Sequence, residues 1–167
     1  MDENHFRIEY GRIVDQLYTF LLRTVGDPDA AADVLQEAAY RAYRSRKNFR
    51  GESSFKTWIY RIAINTAKSL WIRNQRERKR SDAMREMDVT DSHTPEKLYT
   101  GKEKASELSR ALMILKEEYR IPFMLKHMDG LSYREISEVL GITENSARVR
   151  VYRARDVLRN TLRENSP

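Results

Sequence analysis

An all-α protein of two small helical domains joined by a flexible linker is the fold this sequence predicts, and three observations carry it. Long stretches of helix-favouring residues repeat their apolar positions at helical spacing. Glycine and proline are sparse, six and four among 167 residues, so few breakers interrupt those stretches, and no hairpin signal stands out. A polar segment without sustained period, RKRSDAMREMDVTDSHTPEKLYTGK, separates two helical blocks. It places an N-terminal domain at 1–78, a linker at 79–104 and a C-terminal domain at 105–167.

From about His5 to Arg78 the pattern predicts three helices. In the first, Phe6, Tyr10, Ile13, Leu17, Leu21 and Val25 make an apolar stripe suited to a core. Asp27 can cap the second, Pro28 fits its first turn, and Asp29 complements the positive helix end. Its inward face is expected to be Ala31, Val34, Leu35, Ala38 and Ala42, leaving Asp33, Gln36, Glu37, Tyr40 and Arg41 outward. A Gly-Ser turn then leads, with Ser53 or Ser54 as cap, into a third helix. Ile59, Ile62, Ala63, Thr66 and Leu70 share one side of it, while Arg61, Asn65 and Lys68 share another, which Ile64 also interrupts. Phe49, Phe55 and Trp58 crowd the head of this helix. Aromatics beside arginine and lysine suit stacking on unpaired bases; the competing reading packs all three under the helix end.

From about Lys104 to Glu164 three or four more helices are expected. Ser132 followed by Glu135 is a capping box for a short helix from Tyr133 to Leu140, and Gly141 can take the left-handed conformation that ends it. Thr143 caps the last helix, whose apolar seam is Ala147, Val151, Ala154 and Leu158. Opposite that seam stand Asn145, Val149, Tyr152 and Arg153, flanked by Ser146, Arg148 and Arg155. Two helices joined by a short glycine turn match the helix-turn-helix, whose second helix enters the DNA major groove.

Charge is zoned along the chain, which carries a net +6. Residues 1–43 hold four basic and eight acidic side chains, residues 44–80 twelve basic and two acidic, and six arginines fall between Arg148 and Arg163. Two separated basic zones point to two contacts with a polyanion. Other classes find little footing. There are no cysteines, and His5, His93 and His127 are scattered, so no metal or cofactor is expected. No run nears the roughly 20 apolar residues of a membrane span, and the acidic start MDENHFRIEYGR lacks a signal-peptide apolar segment. Cytoplasmic residence is the expectation. Asp33 and Glu37 are a carboxylate pair at i, i+4, yet no base, nucleophile or glycine-rich phosphate loop accompanies them, so an enzyme is not expected.

Three ordered stretches, DPDAAADVLQEAAYRAYR, FRGESSFKTWIYRIAINTAKS and LSYREISEVLGITENSARVRVYRARDVLR, resemble the extracytoplasmic-function sigma factors, a group of the sigma-70 family of bacterial RNA polymerase initiation factors. The resemblance spans about residues 5–80 and 105–163. It implies core RNA polymerase and promoter DNA as partners, and a cognate anti-sigma factor as a common one. It places Asp33, Gln36 and Glu37 on the clamp coiled coil of the largest polymerase subunit. It assigns Ser53, Ser54, Phe55, Lys56, Trp58, Arg61, Asn65 and Lys68 to a melted minus-ten element. In the last helix it sets Asn145, Ser146, Arg148, Val149, Tyr152 and Arg153 nearest the bases of the minus-thirty-five element, with Arg150 and Arg155 nearer the backbone. A common family pattern opens that helix Pro-Val-Gly-Thr-Val; here Thr143-Glu144-Asn145-Ser146-Ala147 stands instead, so no base preference is implied. The rival reading is a helix-turn-helix regulator binding DNA as a homodimer, which accounts for residues 105–163 but leaves FRGESSFKTW and the acidic helix idle.

Overall fold

A computed structural model describes residues 1–84 and 110–164 of the chain, and every regular element among them is helical. Helix α1 (Glu3–Val25) starts where the Asp2 carboxylate accepts from the His5 amide. It stops at Gly26, whose positive φ of 78° lets its N–H reach back to the Leu22 carbonyl. Asp27 caps α2 (Pro28–Ser45) by accepting from the Ala30 amide, with Pro28 at its first position as the sequence predicts. A single 3-10 turn, Arg46–Asn48, leads to the loop before α3 (Phe55–Met84). Of the two candidate caps, Ser54 does the capping, its Oγ accepting from the Thr57 amide at 3.0 Å. Helix α3 continues past 79, where the linker was expected to begin; the linker beyond Met84 lies outside the described residues.

After a helical stretch over 110–114 come α4 (Glu117–His127), α5 (Tyr133–Leu140) and α6 (Glu144–Glu164). The Ser132–Glu135 box is formed in both directions, and Gly141 ends α5 at φ 65°. Thr143 Oγ1 accepts from the Ser146 amide and opens α6. The turn between α5 and α6 is therefore fixed by three local hydrogen-bonding devices before any packing is considered.

Burial follows the expected stripes with two instructive departures. In α2, Ala31, Ala38 and Ala42 are fully buried and Val34 nearly so, so the small residues bring α2 close against α1 and α3, while Leu35 is only half-buried. In α6, Ala147, Val151, Ala154 and Leu158 are all buried, and Ala147, Ala154 and Leu158 belong to the cluster that holds Leu112, Leu125, Ile136 and Val139.

The first departure is in α1, where Phe20, off the predicted stripe, is buried while Tyr10, Ile13 and Val25 are half-buried. The second is in α3, where Ile64 sits in the core despite lying on the expected polar side, and Tyr60 is fully buried. One cause explains both: α1 and α3 each meet more than one neighbour. Phe20 and Tyr60 pack ring to ring at 5.2 Å where α1 crosses α3, and α3 is flanked by α1, α2 and α5. A single amphipathic stripe describes a helix with one neighbour only.

Candidate nucleic-acid interface

The residues of the three expected surfaces lie on α2, on α3 with the loop before it, and on α6. On α2, Asp33 and Gln36 are exposed and Glu37 is half-buried, its carboxylate accepting from Arg41 Nε at 2.7 Å. All three border a groove of ≈ 880 Å³ with an apolar floor that includes Val34, Ile64 and Leu70. An acidic lip on an apolar groove, in a chain of net charge +6, is chemically suited to a basic protein partner rather than to DNA.

The second surface is the head and polar side of α3. Phe6, Tyr43, Phe49, Phe55 and Trp58 form one aromatic cluster, with Phe55 at 5.7 Å from Phe6, 6.2 Å from Phe49 and 5.7 Å from Trp58. Phe55 is buried, whereas Phe49 and Trp58 are half-buried, so packing under the helix end describes Phe55 and the other two keep accessible surface. Ser54, Arg61, Asn65 and Lys68 are exposed, and Ser53 and Lys56 are half-buried.

Sequence reasoning missed what several of these groups bond to. Lys56 Nζ donates to the Asp129 carbonyl at 2.5 Å and to Gln16 Oε1 at 3.2 Å, and Arg61 Nε donates to the Glu138 carbonyl at 2.7 Å. Thr57 Oγ1 donates to Glu135 Oε1 at 3.2 Å, with Ser54 Oγ at 3.4 Å from the same oxygen. The buried Tyr60 hydroxyl donates to Asp129 Oδ1 at 2.8 Å. Burial pushes the Asp129 carboxyl up, opposed by the Tyr60 hydroxyl and by Lys56 and Arg23. Burial, and then the charge of Asp129, pushes the Tyr60 phenol up. The available signal was Asp129-Gly130: Gly130 has φ 71°, so the chain turns there and carries the Asp129 side chain inward.

Glu135 serves both the α5 cap and this contact. Its carboxyl is held below its ordinary value of 4.5, first by the Ser132 amide, with burial opposing and the hydroxyls of Ser132, Thr57 and Ser54 assisting. A depressed acid contributes stability above its ordinary value, and that contribution is lost as the pH falls through the depressed one. Glu135→Ala is therefore expected to cost about 1 kcal/mol in urea unfolding at neutral pH. The deficit should narrow as the pH is lowered below 4.5; a pH-independent deficit would assign the loss to packing instead.

The third surface is the solvent side of α6. Asn145, Arg148, Val149, Tyr152, Arg153 and Arg155 are exposed, and Ser146 and Arg150 are half-buried. Tyr152 is 64% exposed, which leaves its ring accessible to a ligand. Arg148 pairs with Glu144 and lies over the Tyr133 ring at 4.8 Å, while Arg153 Nη1 donates to the Tyr119 hydroxyl at 3.3 Å. Glu144 thus turns along the helix to its own arginine. The buried seam points one way and the basic side the other, so α6 can present its first turns to a groove without disturbing the core.

Two family models match the chain in order: sigma-70 region 2 over residues 10–77 and sigma-70 region 4 over residues 105–158. The RNA polymerase sigma-H factor of Pseudomonas aeruginosa is 32% identical over 169 residues, covering 96% of this chain and 88% of the relative. The ECF RNA polymerase sigma-E factor of Escherichia coli K12 is 32% identical, covering 95% and 87%. The chain belongs to the extracytoplasmic-function sigma factors of the sigma-70 family. As such it is a promoter-specific initiation factor for RNA polymerase, and the dimeric regulator is not favoured. Two solved structures share its fold. The sigma factor RpoE of Bartonella quintana, in complex with the anti-sigma factor NepR, has a TM-score of 0.79 at 23% identity, covering 98% of this sigma factor and 100% of that chain. CnrH, in complex with the cytosolic domain of CnrY, has a TM-score of 0.71 at 21% identity, covering 99% and 92%.

Proposed function

We propose that this sigma factor holds core polymerase through Asp33, Gln36 and Glu37 and reads promoter DNA with two separate surfaces. The domain at 1–78 docks and captures the melted minus-ten element through Ser53, Ser54, Lys56, Trp58, Arg61, Asn65 and Lys68, with Phe55 bracing the loop from beneath. The domain at 105–167 reads the minus-thirty-five element through Asn145, Ser146, Arg148, Val149, Tyr152 and Arg153, with Arg150 and Arg155 on phosphates. The segment 79–104 tethers them, so engagement of one element raises the effective concentration of the other reader. Polymerase supplies the chemistry. The sigma factor contributes recruitment and strand capture, in which splaying a base costs a few kcal/mol that stacking offsets.

The observation that carries this reading is the opposition of charge between surfaces: an acidic lip on α2, and basic sides on α3 and α6. A single-ligand DNA regulator has no use for the acidic face. A cognate anti-sigma factor is a further partner, by likeness to RpoE and CnrH, which are seen in complex with NepR and CnrY. Action on polymerase places the protein in the cytoplasm; no described helix is long and apolar enough to cross a membrane.

The test is reconstituted transcription on fragmented genomic DNA of the source organism, with bacterial core polymerase alone and with the protein added. New transcript starts that share two spaced upstream elements are the expected result. DNA binding without new starts would return the reading to the dimeric regulator.

A further inference from the structure

Val149 is an aliphatic side chain on a face of α6 whose other exposed members all carry hydrogen-bonding groups. It lies in the second turn of the helix, 40% exposed, one turn past Asn145 and one turn before Arg153. The core side of these turns is filled by Ala147, Val151 and Ala154, all at most 1% exposed, so the core makes no use of Val149. Its charged neighbours are drawn aside. Arg148 goes to Glu144 and over the Tyr133 ring, and Arg153 goes to the Tyr119 hydroxyl. What they leave accessible between them is Val149, with the exposed Tyr152 three residues on. Helix propensity does not favour valine at an exposed position, because branching at Cβ crowds the preceding turn. The same branching holds the side chain in one rotamer in about nine of ten helical instances, so fixing it against a ligand costs little entropy, unlike fixing the long arginines beside it.

In the major groove every base pair presents hydrogen-bond donors and acceptors, and thymine alone of the four bases adds an apolar group, its 5-methyl. Valine pressed on a polar edge strips water from it and returns no hydrogen bond, which is unfavourable. Pressed on a methyl group it removes apolar surface of both partners from water. A rigid, exposed valine on a base-facing helix side therefore selects for a pyrimidine 5-methyl and against a bare polar edge. We propose that Val149 is the methyl-reading residue of α6: it contacts the 5-methyl of one thymine in the upstream element and so fixes an A·T pair in the stretch that the flanking arginines read. The proposal rests on the assignment of α6 to base edges made above. 5-Methylcytosine carries the same group in the same groove, so it satisfies the contact too, while cytosine and uracil do not.

The test uses the full-length protein bound to bacterial core polymerase. Duplexes randomised over the upstream element are selected for retention by this holoenzyme, and each thymine of the retained sequence is then replaced in turn by uracil, which removes the methyl group and nothing else. The expected result is one thymine whose replacement weakens binding about fourfold, the order of effect of burying one methyl group. Val149→Ala, an exposed and helix-favouring change, should lose about the same factor on the thymine duplex and respond no further to uracil. At that position 5-methylcytosine should bind about fourfold better than cytosine with the native protein, and equally with Val149→Ala. A retained sequence in which no thymine responds to uracil overturns the proposal, as does a response that persists undiminished in Val149→Ala. Selection repeated with Arg153→Ala separates this failure from that of the α6 assignment. If the retained sequence shifts with Arg153→Ala while no thymine responds, α6 stays on the bases without the methyl contact; if it shifts with neither variant, both readings fall.

Discussion

Core polymerase should no longer retain the sigma factor once Asp33 and Glu37 are both reversed to lysine, in a pull-down that retains the native protein. The two carboxylates lie one turn apart on the outer side of α2, so a basic partner meets both at once. Reversal turns two attractions into two repulsions. Close interfacial charge pairs couple by about 1.5–7 kcal/mol, which corresponds to at least a hundredfold loss of affinity for the pair of changes. The fold should survive. Helix α2 is anchored by Ala31, Val34, Ala38 and Ala42 on its opposite side, and the ion pair lost, Glu37 with Arg41, lies at the surface, with the two side chains 39% and 44% exposed. Exposed pairs of this kind contribute about 0–1 kcal/mol. An unchanged thermal melt alongside lost retention confirms docking through α2, and native-level retention refutes it.

Capping, turn and seam residues of the helix-turn-helix were legible in the sequence because each depends on neighbours within a few positions. The Ser132–Glu135 box, Gly141, Thr143 and the seam from Ala147 to Leu158 all stand where local chemistry requires. The same holds for Asp27 and Pro28 at the head of α2. What local pattern could not supply is the second neighbour of a helix. Tyr60 lies among polar residues and Ile64 interrupts them, and both are buried because α1 and α5 pack beside α3 at large sequence separation. The site divides on the same line. Exposure of Asp33, Arg61, Lys68 and Tyr152 follows from helical phase, but the Lys56–Asp129 and Arg61–Glu138 hydrogen bonds span 73 and 77 residues and leave no periodic trace. Phe55 shows the remaining ambiguity of an aromatic beside a basic helix: its burial against Phe6 and Phe49 is decided by α1 and the preceding loop.

On duplex carrying the minus-thirty-five element, Arg148→Ala with Arg153→Ala and Arg150→Ala with Arg155→Ala should fail in different ways. The first pair lies on the exposed side of α6 toward its start, where a recognition helix meets base edges. Each bidentate arginine contributes about 1–3 kcal/mol of discrimination, so losing both should cost at least roughly thirtyfold on the specific site and little on unrelated duplex. The free protein offsets little of this. Arg148 exchanges its exposed pair with Glu144 and its place over Tyr133, and Arg153 exchanges a 3.3 Å hydrogen bond with the Tyr119 hydroxyl, all weak surface contacts. The second pair stands to either side, Arg150 half-buried and Arg155 exposed, and suits phosphates. Each phosphate contact releases counterions, so its loss should weaken binding to all sequences alike and reduce the log–log salt slope by about 0.9 per arginine. Binding measured across a salt series on specific and unrelated duplex separates the two outcomes. Equal loss on both duplexes from the first pair would move Arg148 and Arg153 to the backbone. A salt response that stays flat for the native protein would remove α6 from the DNA altogether, because six arginines between Arg148 and Arg163 cannot meet a polyanion without displacing its counterions.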